Sequence, residues 1–207
     1  RLGTLSLAAL PPLSLYVHLP WCLKKCPYCD FNSHEARPLP ADAQRRSGPA
    51  FGPGQALDPA LEQRYIDALV ADLESALPLV WGRRVASVFI GGGTPSLFSP
   101  DAIDRLLAGL RARLVLEPGA EITLEANPGT FERERFRAFR AAGVTRLSIG
   151  VQSFDDEALA RIGRVHDARQ AHAAVAEARE AFDTFNRALM YALPGQTLQA
   201  LAADLDA

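Results

Sequence analysis

Five strand-like runs, each leading to a helical stripe, decide what this chain can fold into. Residues 13–19 alternate, with Leu15, Val17 and Leu19 on one side and Tyr16 and His18 on the other, which is the period of a half-buried strand. Residues 85–90 form a short apolar run rich in β-branched side chains, the pattern of a strand buried on both faces of a parallel sheet. Residues 121–127 and 146–152 alternate again: Ile122, Leu124 and Ala126 oppose Thr123, Glu125 and Asn127, and Leu147, Ile149 and Val151 oppose Ser148, Gly150 and Gln152. Residues 185–193 complete the set.

Helical patterns lie between these runs. Leu61, Tyr65, Leu69, Leu73 and Leu77 recur every four residues, the stripe of an amphipathic helix. Ser99 with Pro100 opens a second helix, a cap followed by a residue whose missing N–H costs nothing there. Thr130 is expected to open a third, which buries Phe136 and Phe139 and stops at Gly143. A short helix is expected over 155–162. Asp167 and Gln170 predict a capping box for the helix over 168–181, and Thr197 opens the last. Strands alternating with helices imply a parallel sheet with right-handed crossovers, an α/β fold.

The unusual residues cluster at the carboxyl ends of these strands, where parallel α/β folds place their sites. After the first strand come all three cysteines of the chain, Cys22, Cys26 and Cys29, spaced C-x3-C-x2-C. Soft thiolates this close select an iron–sulfur cluster, zinc or copper(I). A [4Fe–4S] cube normally takes four cysteines, so three would leave one iron open to a small molecule. Zinc with His18 or His34 as fourth ligand, and plain buried thiols, remain alternatives. Gly91-Gly92-Gly93-Thr94-Pro95 follows the second strand. It fits neither dinucleotide nor P-loop spacing and reads as a tight turn or as backbone brought close to a ligand. Glu125 and Gln152 share a face of adjacent strands, and a buried carboxylate there needs a donor. Arg164 reads as a partner for a ligand carboxylate or as a surface arginine at a helix end. His166 and His172 read as solvated or helix-capping.

Net charge is −2, which offers no footprint for nucleic acid or an anionic membrane surface. No run of about 18 apolar residues is present, so no membrane span is expected. Three cysteines argue against a secreted disulfide framework, and a cluster would need a reducing compartment, so a cytoplasmic location is expected. Residues 1–12 read as a leader or strand extension, residues 13–207 as the core domain, and residues 35–59 as a flexible insertion. Arg1 at the start and a helix interrupted at Ala207 lead to the expectation of a fragment.

The cysteine loop after a strand, followed by G-G-G-T-P, resembles the radical S-adenosylmethionine superfamily. Leu15-Tyr-Val-His-Leu-Pro-Trp-Cys22, Cys26-Pro-Tyr-Cys-Asp-Phe-Asn-Ser-His34, Phe89-Ile-Gly-Gly-Gly-Thr-Pro-Ser96, Leu124-Glu-Ala-Asn-Pro-Gly129, Ser148-Ile-Gly-Val-Gln-Ser-Phe154, Gly163-Arg-Val-His166 and Leu193-Pro-Gly-Gln196 resemble, more narrowly, the HemW group of heme chaperones, which is related to the HemN oxygen-independent coproporphyrinogen III oxidases. The resemblance implies a partial (β/α)6 barrel, truncated before its sixth βα unit and lacking a C-terminal domain. It implies a [4Fe–4S] cluster on Cys22, Cys26 and Cys29, with S-adenosylmethionine on the open iron and against Tyr16, Gly92, Gly93, Thr94 and Glu125. Gln152 and Arg164, with Tyr28, Cys29, Asp30 and Phe31, would border a second molecule of it. Heme is then the cargo, with heme-acceptor proteins and a reductant for the cluster as partners.

Two positions depart from the related patterns. Phe31 stands where the oxidases carry a further cysteine, and Ala188 stands where the family usually has an aspartate in the fifth strand, with Arg187 unexpected beside it. A heme chaperone is therefore the leading expectation. A porphyrinogen oxidase is the competing one, able to cleave S-adenosylmethionine and decarboxylate propionates. A zinc-stabilised structural module is the third.

Overall fold

The computed structural model describes residues 9–36, 57–129 and 132–207. The leader up to residue 8, most of the expected insertion (37–56) and Thr130 lie outside these residues. Strand β1 (Leu13–Leu19) leads into two short strands, β2 (Trp21–Cys22) and β3 (His34–Glu35), and then helix α1 (Pro59–Val80). Next come β4 (Arg84–Gly92), α2 (Pro100–Arg111), β5 (Val115–Ala126), α3 (Glu132–Ala142) and β6 (Arg146–Gln152). The chain continues through α4 (Asp156–Arg161), α5 (Ala168–Ala181), β7 (Thr184–Leu189) and α6 (Leu198–Asp206).

Five strands make one parallel sheet in the order β1-β4-β5-β6-β7, the same as their order in the chain. Helices α1, α2, α3 and α5 pack in sequence against one another, so they cover one face only, as in an arc of a barrel rather than a doubly wound sheet. Under that helical layer Ile90, Leu124, Leu147, Ile149 and Val151 meet Ile103, Leu106, Leu107, Phe136 and Phe139, all buried. Each such side chain contributes on the order of 1.5–3 kcal/mol. Helix α5 presents Ala171, Ala174 and Ala178, all fully buried, and small residues let its backbone lie close to the sheet. The opposite, concave face carries Tyr16, His18, Glu125, Ser148 and Gly150.

The helix starts follow their caps. Asp58 accepts from Ala60 N at 2.8 Å, and Ser99 accepts from Ala102 N at 3.2 Å. Ser99 also donates its hydroxyl to Glu62 at 2.6 Å, and Glu62 accepts from Ser99 N at 2.8 Å. One buried carboxylate on α1 thus fixes the start of α2, and burial pushes its pKa up. The capping box at Asp167 and Gln170 forms. Asp204 is buried on α6 and accepts from Ser153 Oγ at 2.9 Å and Phe154 N at 2.7 Å, anchoring the last helix to the end of β6.

Two boundaries differ from expectation by more than two residues. β5 begins at Val115 rather than Glu121, because its first residues pair with Arg84 and Val85 before a register shift. β7 ends at Leu189 rather than 193. After Met190 N bonds to Gln152 O at 2.8 Å, the chain turns at Ala192, whose φ is +57°. Arg187 lies on the exposed side of this edge strand, with its guanidinium 5.9 Å from the Phe154 ring centroid, which accounts for a charge within a strand. No helix among the described residues is long and apolar enough to cross a membrane.

Candidate functional site

The cysteine loop leaves β1 at Pro20 and is closed by its own backbone. His34 N bonds to Pro20 O at 2.7 Å, Ala36 N to Cys22 O at 2.7 Å and Cys29 N to Cys26 O at 3.0 Å. The first two bonds form the β2–β3 pair, which the sequence gives no sign of, and the third closes a turn between the second and third cysteines. Lys25 ties the interior, donating its backbone N–H to Glu35 at 2.9 Å and its ammonium to Phe31 O at 3.2 Å. Trp21 seats the base of the loop edge-on against Tyr65 of α1, 4.7 Å between centroids, and Tyr65 donates to His18 O at 2.9 Å.

The glycine run docks on this base. Gly93 N bonds to Leu19 O at 2.9 Å and Thr94 N to Trp21 O at 2.7 Å. A Cβ on Gly93 would lie 2.6 Å from Trp21 O and 2.8 Å from the Pro20 carbonyl. Gly92, at φ +122°, would place a Cβ 2.8 Å from His18 Nδ1. The first need for these glycines is therefore close approach to the cysteine loop itself, and their other side borders a cavity.

That cavity, of about 260 Å³, lies at the carboxyl ends of the strands. The loop contributes Cys22, Cys26, Tyr28, Cys29 and Phe31, and the glycine turn contributes Gly92, Gly93 and Thr94. Glu125 of β5, Gln152 of β6 and Arg164 after α4 complete the expected residues on its wall. Tyr16 and Asp30 do not line it. Tyr16 instead donates to His18 Nδ1 at 3.0 Å and stacks on Phe89, 6.2 Å between centroids. Lys24, Asn127, Ser148 and Gly150 also line the cavity and are not among the site residues expected from the sequence, although Asn127 stands out beside Glu125 at the end of its strand. For Asn127, Ser148 and Gly150 the cue was available, since alternation puts them on the same face as Glu125 and Gln152. Ala188 borders the cavity too, an apolar methyl where a carboxylate was expected.

Burial raises the pKa of the Glu125 carboxyl, opposed by the hydrogen bond it accepts from Gly92 N at 3.1 Å. Burial likewise raises that of the Cys22 thiol, while hydrogen bonds from the Thr94 and Ser33 hydroxyls lower it. Arg164 is no surface arginine. Its Nη2 donates to Gly150 O at 2.7 Å and Asn127 Oδ1 at 2.9 Å. Its Nη1 reaches Cys26 Sγ at 3.6 Å and Tyr28 OH at 3.5 Å. Its Nε is buried with no hydrogen-bond partner among the described residues. A cation with no acidic partner among the described residues thus faces the cavity beside the thiols.

All three cysteines are free and partly exposed. Among the described residues no group of three His, Cys, Asp or Glu side chains is placed to hold a single metal ion. His18 has both ring nitrogens engaged, Nε2 donating to Asn32 O at 2.8 Å while Nδ1 accepts from Tyr16. It is therefore not available as a fourth zinc ligand. Three thiols spread along one cavity wall fit a cluster, in which each thiolate holds its own iron corner.

His166 is a correction to the sequence reading. It is buried, 4% exposed, and Nε2 donates to Val151 O at 3.0 Å. Nδ1 has no partner. Burial, with the Arg164 charge adding to it, lowers its pKa to about 4 from 6.5. The unfolded chain therefore binds a proton that the folded chain refuses, and folding stability falls as pH drops from about 6.5 towards about 4. Urea midpoints measured across that window are expected to show this slope, and His166→Gln is expected to flatten it. A variant as steep as the parent would assign the slope to other groups. His172 stays exposed and stacks on Phe154, 4.4 Å between centroids.

The family model of the Radical SAM superfamily matches residues 16–207. This chain belongs to the radical SAM superfamily. Among curated relatives, the heme chaperone HemW of Haemophilus influenzae is 46% identical over 201 residues, covering 95% of this chain and 47% of that protein. HemW of Escherichia coli K12 is 46% identical over 198 residues, with the same coverage of 95% and 47%. The chain thus spans about half the length of the curated relatives it matches. Among solved structures, the radical SAM enzyme coproporphyrinogen III oxidase HemN from Escherichia coli superposes with a TM-score of 0.75 at 34% identity. That match covers 94% of this chain and 41% of that one. The parallel sheet and single helical layer are those of the radical SAM fold.

Proposed function

We propose that this chain is the cluster-bearing part of a heme chaperone of the HemW kind. The observation that carries the reading is the convergence of Cys22, Cys26 and Cys29 with the glycine turn, Glu125 and Arg164 on one cavity, together with 46% identity to two heme chaperones. In this proposal the three cysteines hold a [4Fe–4S] cluster, and the same cavity takes S-adenosylmethionine. When bound, that pair supplies one-electron chemistry at the sulfonium. The chain's own contribution is placement and exclusion of water. Gly92, Gly93 and Thr94 bring backbone to the ligand, Glu125 offers a half-buried carboxylate acceptor for hydroxyl or ammonium donors, and Arg164 offers a cation for a carboxylate. Ala188 gives no such acceptor, which favours one molecule of S-adenosylmethionine over two.

Heme is the proposed cargo, passed to acceptor proteins by the whole protein, with a reductant needed for the cluster. Three free thiols suit a reducing compartment such as the cytoplasm. Residues 13–207 are the proposed core domain. The likeness to HemN favours a second reading, decarboxylation of a porphyrinogen, against which stands Phe31 at the position of the oxidases' further cysteine. Anaerobic incubation with coproporphyrinogen III and a reductant separates the two. Stoichiometric heme binding and transfer without a vinyl product is expected; formation of vinyl product would replace the chaperone reading with the oxidase one.

A further inference from the structure

The cavity wall contains a hydrogen-bonded chain that runs from Thr94, after β4, through Asn127, after β5, to Arg164 and the Cys26 sulfur. Its centre is Asn127, just past β5. Asn127 Nδ2 donates to Thr94 Oγ1 at 2.8 Å, and Asn127 Oδ1 accepts from Arg164 Nη2 at 2.9 Å. The orientation of the amide is forced, because a guanidinium has no acceptor and must face the oxygen. Thr94 therefore spends a lone pair on Asn127 and anchors the amide from the β4 side. At the other end, both N–H groups of Arg164 Nη2 are taken by Asn127 and Gly150 O. The guanidinium plane is thereby fixed with Nη1 towards Cys26 Sγ at 3.6 Å. Gly150 is part of the same arrangement: a Cβ there would lie 2.6 Å from Asn127 Oδ1.

Asn127 itself touches no cysteine in this chain of contacts. Its effect passes through Arg164, which ends on sulfur. Hydrogen bonds donated to cluster thiolates stabilise the more negative, reduced state and so raise the reduction potential. We propose that Asn127, itself anchored by Thr94, is a positioning residue that tunes the cluster's reduction potential by aiming the Arg164 guanidinium at the Cys26 sulfur. This rests on the cluster reading above.

The test is an EPR-monitored redox titration of the anaerobically reconstituted protein without S-adenosylmethionine, alongside iron and sulfide analysis. Asn127→Ala is expected to keep its iron while the potential moves negative by at least tenfold in the reduction equilibrium, about 59 mV for one electron. Thr94→Val removes the acceptor that holds the Asn127 amide and is expected to move it the same way by less. The double variant is expected to fall short of the sum, because Thr94 acts through Asn127. A fully loaded Asn127→Ala at the parent potential would overturn the proposal. Should Asn127→Ala not load, Thr94→Val decides: an unmoved potential there overturns the proposal too. A parent protein that assembles no cluster would instead refute the reading beneath it, an outcome visible in the iron analysis alone.

Discussion

Cys22→Ala is expected to abolish the iron–sulfur centre. Anaerobic reconstitution of the parent should yield about four irons and about four sulfides per chain, the content of a [4Fe–4S] cube, and the variant should retain almost none. Cys22 is partly exposed, so its side chain contributes little to packing, and the loop around it is closed by backbone bonds that alanine preserves. Thermal unfolding of the metal-free variant should therefore match that of the metal-free parent. This pairing of total loss of iron with unchanged apo stability distinguishes a ligand from a core residue. A variant that still binds a full complement of iron would remove Cys22 from the ligand set and require a different third donor.

Gly93→Ala should show the second large effect, by a different route. The added methyl would meet Trp21 O at 2.6 Å and the Pro20 C and O atoms at 2.8 Å. All three are backbone atoms held by Thr94 N–Trp21 O and His34 N–Pro20 O bonds of 2.7 Å, so no side-chain rotation relieves the clash. The cost is expected to be about 1–3 kcal/mol, the range for overpacking, read as a lower urea midpoint with unchanged slope. Because the backbone that must yield is the two residues before Cys22, cluster loading should fall as well. Parent-like stability and loading would mean that the glycine turn does not set the position of the cysteine loop.

Much of the fold was legible because its determinants are local. The alternation in Leu13–Leu19 and Arg146–Gln152 and the capping box before Ala168–Ala181 gave those elements their observed bounds. The ends of β5 and β7 were not legible, since they depend on register shifts and on pairing across the sheet. The paired strands β2 and β3 hold two residues each and exist only because the loop folds back on Pro20 and Cys22. In the site, the residue types on the cavity wall could be named from strand-end position and resemblance. Their couplings could not. Arg164 meets Cys26 from 138 residues away, and His166 is buried by packing against Val151 that no sequence period encodes. The glycine run reads from the sequence as a tight turn or as backbone close to a ligand, and that its tightest contacts are to the chain's own Pro20 and Trp21 has no local sign.

The proposed function stands on an iron–sulfur centre with one iron open to S-adenosylmethionine, framed by this cavity. EPR of the anaerobically reduced, reconstituted protein, recorded with and without S-adenosylmethionine, tests it. A cluster spectrum whose g-values shift when the cofactor is added is expected. A fully loaded cluster with a spectrum indifferent to the cofactor, or zinc in place of iron, would contradict it.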